Sequence, residues 1–181
     1  LVLLVASFSQ VNSDLYTPSM PAIVQSLSTS TAWVQRSLSI FLLGFAVAQC
    51  IYGLLSDSLG RRRPLLVGLA LGLVGSGTCL SAHHINTFLI GRCLQGLGAG
   101  CGLVLARSIL RDCFKDQAFA RTISYLSMGT ISIMASAPAL GGRLQEAFGW
   151  HGTFAFLSIY GLIVLLALYW ALPETLSSQD R

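Results

Sequence analysis

The chain has 181 residues, 54% hydrophobic and only 10% charged, with a formal net charge of +4. Soluble globular domains carry about 25% charged residues, so this composition excludes an ordinary water-soluble domain and makes lipid the expected solvent. The basic residues sit in short breaks between apolar stretches, which excludes a nucleic-acid-binding face built on a basic patch.

A bilayer-spanning helix needs about 20 mostly apolar residues. Six segments meet that description, over about 1–26, 33–56, 64–82, 87–110, 118–144 and 149–172. Runs such as SIFLLGFAVAQCIYGLL do not alternate polar and apolar residues, as barrel strands must. Helices then remain the way to satisfy every backbone polar group within hydrocarbon. The predicted fold class is an all-α membrane protein with six transmembrane helices over residues 1–172. Residues 173–181 read as the start of a cytoplasmic linker or tail.

The first segment begins at Leu1 in mid-hydrophobic run, without methionine, and no small-residue cleavage site follows it. It reads as a span rather than a signal peptide, in a chain that is a fragment of a longer one. It carries Asp14 about 12 residues, or roughly 18 Å, from its far end. An ionisable group at that depth is costly and is a functional-site hypothesis by default. Desolvation disfavours its charged form, so Asp14 is a candidate proton carrier. Pro18 and Pro21 follow in DLYTPSMP, each removing a backbone donor. Tyr16, and Gln35 at the start of the second segment, are candidates for the same cavity.

The second segment ends in GLLSDSLGRRRP, residues 53–64, where Asp57 precedes Arg61, Arg62 and Arg63. A carboxylate at a helix C-terminus meets the unfavourable end of the macrodipole, so Asp57 calls for a cationic partner. Asp112, after the fourth segment, stands in the same position, and Arg61, Arg62, Arg107 and Arg111 are the available cations. The short HHINT loop holds His83 and His84, which read as solvated. The fourth segment carries Arg92 about five residues, or roughly 8 Å, from its outer end, with Gln95 one turn on. A buried guanidinium needs a partner or a wet cavity. Asp14 is the opposite charge expected to share a polar cavity with it, without direct contact being assumed. GLGAGCG follows, and small residues of this kind let helices approach closely in lipid. The loops rich in Lys and Arg, at 61–63 and 107–121, are expected on the cytoplasmic side, which puts both ends of the chain there.

The five cysteines form no CxxC pair and read as small apolar residues. No metal site is expected, and no nucleophile elbow or phosphate loop is present. An enzyme is therefore the least favoured class.

GLLSDSLGRRRP resembles the loop signature of the major facilitator superfamily, G-x-x-x-D-[RK]-x-G-[RK]-[RK]. Gly53, Asp57, Gly60, Arg61 and Arg62 match, and Ser58 departs where a basic residue is usual. RCLQGLGAG is similar to the superfamily's fourth-helix motif through Arg92, Gln95 and Gly96. APALGG resembles its fifth-helix antiporter motif through Pro138, Gly141 and Gly142, with Ala137 in place of a glycine. SDLYTPSMPAI, LARSILRD, FGWHGTF and LPETL together look like the Bcr/CflA group of bacterial multidrug exporters, with His151 where arginine is more usual. The likeness covers essentially the whole chain and the first six of twelve expected helices.

The resemblance implies one half-bundle of two inverted three-helix repeats, with the C-terminal six-helix half absent. It implies proton-coupled export of small hydrophobic compounds through the bacterial inner membrane, driven by the proton gradient without a cofactor. Asp14 would be the proton-responsive acid and Arg92 its coupling partner. Asp57, Arg61 and Asp112 would form the cytoplasmic gate, with Gly53, Gly60, Arg62 and Arg111 part of the same motif region. The competing readings are a transporter dedicated to one metabolite and a non-transporting membrane receptor or scaffold.

Overall fold

Proline and glycine decide where the chain breaks. In the computed structural model, which describes residues 1–172, the first apolar segment is divided. Helix α1 (Val2–Asp14) is followed by a 3₁₀ turn at Thr17–Ser19 and then by α2 (Met20–Ser26). Pro18 has no N–H to give to the Asp14 carbonyl four residues back, and Pro21 withholds one from Thr17. The turn closes instead through Ser19 N–H to Tyr16 O at 2.8 Å. The remaining helices are α3 (Thr31–Leu59), α4 (Arg62–Leu80), α5 (Ile85–Cys113) and α6 (Asp116–Ala171). The expected tail at 173–181 lies outside the described residues.

Four of these helices, α3 to α6, are long and apolar enough to cross a bilayer. The expectation of six separate spans is met in part, and two places differ from it. The 13-residue α1 and 7-residue α2 are each too short to span alone. Segments five and six, expected to part between 144 and 149, follow one another without a loop over Asp116–Ala171 and part only at Gly149. That element bends at Gly149, where φ is 68° and ψ is −176°, a backbone conformation open to glycine and costly for residues with a Cβ.

Contacts trace the course of α6. Gly129 abuts Leu3 and Gly141 abuts Leu15, so its first part climbs alongside α1. Beyond Gly149, Phe154 meets Tyr16 and Tyr160 meets Ser7 and Phe8, so the second part descends along the same helix. One end of the bundle thus gathers Leu3, Arg61, Asp112 and Tyr169. The other gathers Leu27, Ala82, Phe88 and Trp150.

Helix α5 is the centre of packing, seated between α3 and α4 on glycine. A side-chain carbon at Gly100 would lie 2.5 Å from the Ala48 Cβ, and one at Gly75 would lie 2.5 Å from the Gln95 nitrogen. Backbones this close leave large apolar contact and little void, which is what drives helix association where lipid tails compete equally for apolar surface. Helix α1 has no glycine and meets α6 closely where α6 supplies one, at Gly129 and Gly141. A groove of about 270 Å³ remains between the two helices, lined among others by Leu4, Val11, Ile133, Leu140 and Tyr160. The outward surface is apolar: Leu43, Leu54, Val67, Ile131 and Trp170 are each more than 60% exposed. A continuous apolar surface of that kind marks membrane or protein contact.

Candidate functional site: a buried guanidinium and a charged latch

Two polar clusters sit at different depths of the bundle. The deeper one is built around Arg92, which is 0% exposed. The side chain projects from α5 between two aromatic faces, with its Cζ 4.0 Å from the Tyr16 ring centroid and 4.3 Å from that of Phe41. Its Nη1 donates to the Asn12 carbonyl at 3.0 Å and to Gln95 Oε1 at 2.8 Å. Gln95 is the hub. Its Nε2 donates to Ser76 Oγ at 2.8 Å and to Asn12 Oδ1 at 3.2 Å, tying α4 and α1 to α5. The Tyr16 hydroxyl lies 3.3 Å from Ser37 Oγ and links in α3. Phe88, Trp150 and Phe154 pack edge to face beside this pocket toward the far end.

No carboxylate pairs with Arg92 among the described residues. A buried charge held this way is offset by carbonyl acceptors and by the ring quadrupoles, each desolvated cation–π contact being worth about 2 kcal/mol. The offset is incomplete, because Arg92 Nε and Nη2 are buried and have no acceptor among the described residues. Those two nitrogens carry three N–H groups, which are expensive to leave unmade in a buried site.

The structure does not join Asp14 to Arg92. Asn12 meets Arg92 and Gln95, and Asp14 lies two residues further on, about 200° around the helix. Asp14 is half-buried and makes no ion pair among the described residues. Of the other cavity candidates, Tyr16 and Gln95 belong to the Arg92 cluster, whereas Gln35 is exposed near the start of α3.

The second cluster joins the charged ends of α3, α4 and α5. Helix α3 stops where Gly60 adopts φ 86°, and the chain turns so that Arg61, 4% exposed, points back into the bundle. Its Nη1 donates to Asp57 Oδ1 at 2.6 Å and to Ser56 Oγ at 2.7 Å, and its Nε donates to Asp112 Oδ2 at 2.9 Å. Burial works against the Arg61 charge, but the hydrogen bonds to Asp112 and Asp57 outweigh it and hold the guanidinium above its usual value. The two acids placed against their helix dipoles therefore share one cation. Arg62 turns the other way and donates to the Tyr169 carbonyl at 2.8 Å, fastening α4 to the end of α6. Arg111 is exposed and forms no ion pair among the described residues.

Gly53 and Gly142 have nothing within 4 Å of an added Cβ, whereas Gly141 is closed against the Leu15 backbone. Pro138 is exposed inside α6. Sequence reasoning missed Asn12, Ser37, Phe41, Ser56 and Ser76. Asn12 carries the clearest signal, a polar side chain on an apolar helix one turn after Phe8. Among the described residues no group of His, Cys, Asp and Glu is placed to hold a metal.

The family described as the Major Facilitator Superfamily matches residues 2–181. The chain is 37% identical over 180 residues to the uncharacterized MFS-type transporter YdgK of Bacillus subtilis, covering 98% of this chain and 45% of that protein. It is 37% identical over 162 residues to multidrug resistance protein MdtL of Shigella dysenteriae serotype 1, covering 90% of this chain and 41% of MdtL. In structure it is similar to the human organic anion transporter MFSD10, with a TM-score of 0.80 at 19% identity, covering 99% of this chain and 48% of that one. The proton:xylose symporter XylE gives a TM-score of 0.82 at 16% identity, covering 96% of this chain and 44% of that one. At these identities the structural likenesses speak for the fold alone. The chain spans less than half the length of the curated relatives it matches.

Proposed function

Because the chain belongs to the Major Facilitator Superfamily, whose members are membrane transporters rather than enzymes, we propose that it is the N-terminal six-helix half of a secondary active exporter. The exporter moves small hydrophobic compounds out of a bacterial cell in exchange for protons. In this reading α1, its turn and α2 make one span. A straight α6 would run about 84 Å against a hydrocarbon core of about 30 Å, so the break at Gly149 divides it into spans five and six. Two inverted three-helix repeats follow, and a second six-helix half completes the transporter with the substrate site between the halves. The end carrying Arg61, Asp112 and Tyr169 is the cytoplasmic one by its Lys and Arg content, with both ends of this chain on that side of the inner membrane.

The observation that carries the reading is Arg92: a fully buried guanidinium with two nitrogens unsatisfied and no carboxylate partner among the described residues, on the opposite side of α1 from an intramembrane acid that is itself unpaired among them. Such a pair is poised for exchange. Substrate enters from the cytoplasm and Asp14 releases its proton. The carboxylate so formed is a strong acceptor, and local unwinding of α1 at its proline-loosened end lets it swing toward Arg92. The halves rock, substrate leaves outside, and Asp14 takes up a proton there. The Arg61 cluster acts as a latch: it holds the cytoplasmic ends of α3, α4 and α5 together as one block during the motion. MdtL, a multidrug resistance protein by name, favours a broad hydrophobic substrate range.

The test is efflux by the full-length protein in vesicles, with and without a proton gradient, across a chemically varied panel. Gradient-dependent export of several unrelated hydrophobic compounds is expected. Movement of one metabolite alone would make it a dedicated transporter, and no movement of any compound would favour a receptor or scaffold.

A further inference from the structure

Gly141 and Gly142 are neighbours on α6, yet the structure treats them oppositely. A side-chain carbon at Gly142 meets nothing within 4 Å, whereas one at Gly141 would overlap the Leu15 carbonyl. That carbonyl has an unusual history. In an unbroken helix it would accept from Ser19 N–H, but this N–H donates to Tyr16 O at 2.8 Å. Pro18 supplies no donor to the Asp14 carbonyl beside it. The break thus turns the Leu15 oxygen out of α1 toward α6, and Leu15 itself is 0% exposed. The Gly141 Cα–H that takes the direction of a Cβ points at this oxygen, a weak Cα–H···O contact that recurs at close helix crossings. One turn earlier, the 3% exposed Ala137 packs in the same cluster as Leu15, so α6 presents a smooth strip to the break.

We propose that Gly141 is a positioning residue for Asp14: by closing on the Leu15 carbonyl it fixes where α1 breaks, and so where the adjacent carboxyl points. The proposal rests on the role given above to Asp14. Because the obstructing atom is backbone, no neighbouring side chain can yield to an added methyl. The methyl must push the break itself, and Asp14 moves with it. A glycine that served only helix packing would affect binding and turnover alike.

The test uses the full-length transporter in vesicles and separates proton-driven export from substrate exchange without a gradient. Gly141→Ala is expected to slow proton-driven export about tenfold or more, the scale of overpacking a closed contact, while exchange and the KM for substrate stay within about twofold. Gly77→Ala, on α4 outside these motifs, has the same gain in helix propensity and nothing within 4 Å of the added carbon, and is expected to leave both activities within about twofold. Pro18→Ala perturbs the same break from the other side by restoring a donor to the neighbouring Asp14 carbonyl, and it adds no bulk to the Gly141 contact. It should lower coupling in the same way, and the double variant should fall short of the product of the two, as coupled sites do. Equal loss in Gly141→Ala and Gly77→Ala, or full additivity of Gly141→Ala with Pro18→Ala, would overturn the proposal. Asp14→Asn, measured in parallel, separates the two levels. If it keeps proton-driven export, the reading of Asp14 fails and takes this inference with it. If it loses export while Gly141→Ala does not, this inference alone fails.

Discussion

Replacing either acid of the Arg61 latch by its amide should have unequal effects, and the structure fixes the order. Asp112 has a 17% exposed side chain and accepts from Arg61 Nε at 2.9 Å; Asp57 is 68% exposed and accepts from Nη1 at 2.6 Å. The shorter bond is the weaker restraint, because water screens an exposed pair and leaves it worth about 0–1 kcal/mol. A hydrogen bond to a covered charge is worth about 1.5–3 kcal/mol. Asp112→Asn keeps size and shape while removing that charge. It should raise local opening at the α3–α4 junction about 10- to 150-fold, at a factor of ten per 1.4 kcal/mol. Asp57→Asn should raise it no more than about fivefold by the same conversion. Native-state hydrogen exchange in the peptide covering 57–65 of the full-length protein reads this opening. Equal acceleration, or a larger effect from Asp57→Asn, would refute the reasoning that burial and not bond length ranks the two contacts.

The other predictions follow from the same geometry. Arg92→Lys keeps a positive charge but loses the planar guanidinium that stacks between two rings while its Nη1 reaches Asn12 and Gln95; proton-driven export should fall at least about tenfold in vesicles with the protein still inserted. Gln95→Leu leaves Arg92, Ser76 and Asn12 short of a partner, at about 1–3 kcal/mol for each group left unsatisfied, and should lower the thermal midpoint in detergent by several degrees or more. Gly96→Ala drives a methyl into the Phe41 carbonyl on the α3–α5 seam. At about 1–3 kcal/mol for overpacking, it should cost more stability in the same melting assay than Gly142→Ala, which meets open space.

Much of the fold was legible because hydropathy and loop charge are properties of the chain and need no tertiary information. The apolar segments fell on the helices, and the proline pair marked the break after Asp14. The latch was legible for a physical reason too. Two acids at helix C-termini demanded a cation, and Arg61 answers both. What the sequence hid is direction. Nothing in QVNSD says that Asn12 and not Asp14 turns toward α5; that is set by how the glycine-rich face of α5 seats against its neighbours. Arg92 was found as a cost, but its neutral solution, two ring faces with a carbonyl and an amide, draws on Tyr16 and Phe41 from separate helices. Arg111 illustrates the converse: a charge in the right loop that the helix turns to solvent. The first segment divided at Pro18, and segments five and six part at a single residue, Gly149, without a loop, since a hydropathy pattern registers apolar length and not backbone continuity.

The central claim is that Asp14 carries the proton that drives export. Proton release on substrate addition tests it most directly, measured with a pH-sensitive dye in the detergent-solubilised full-length protein for the wild type and Asp14→Asn at matched substrate occupancy. The account predicts release from the wild type and none from Asp14→Asn, with substrate still bound. Equal proton release from both would contradict it.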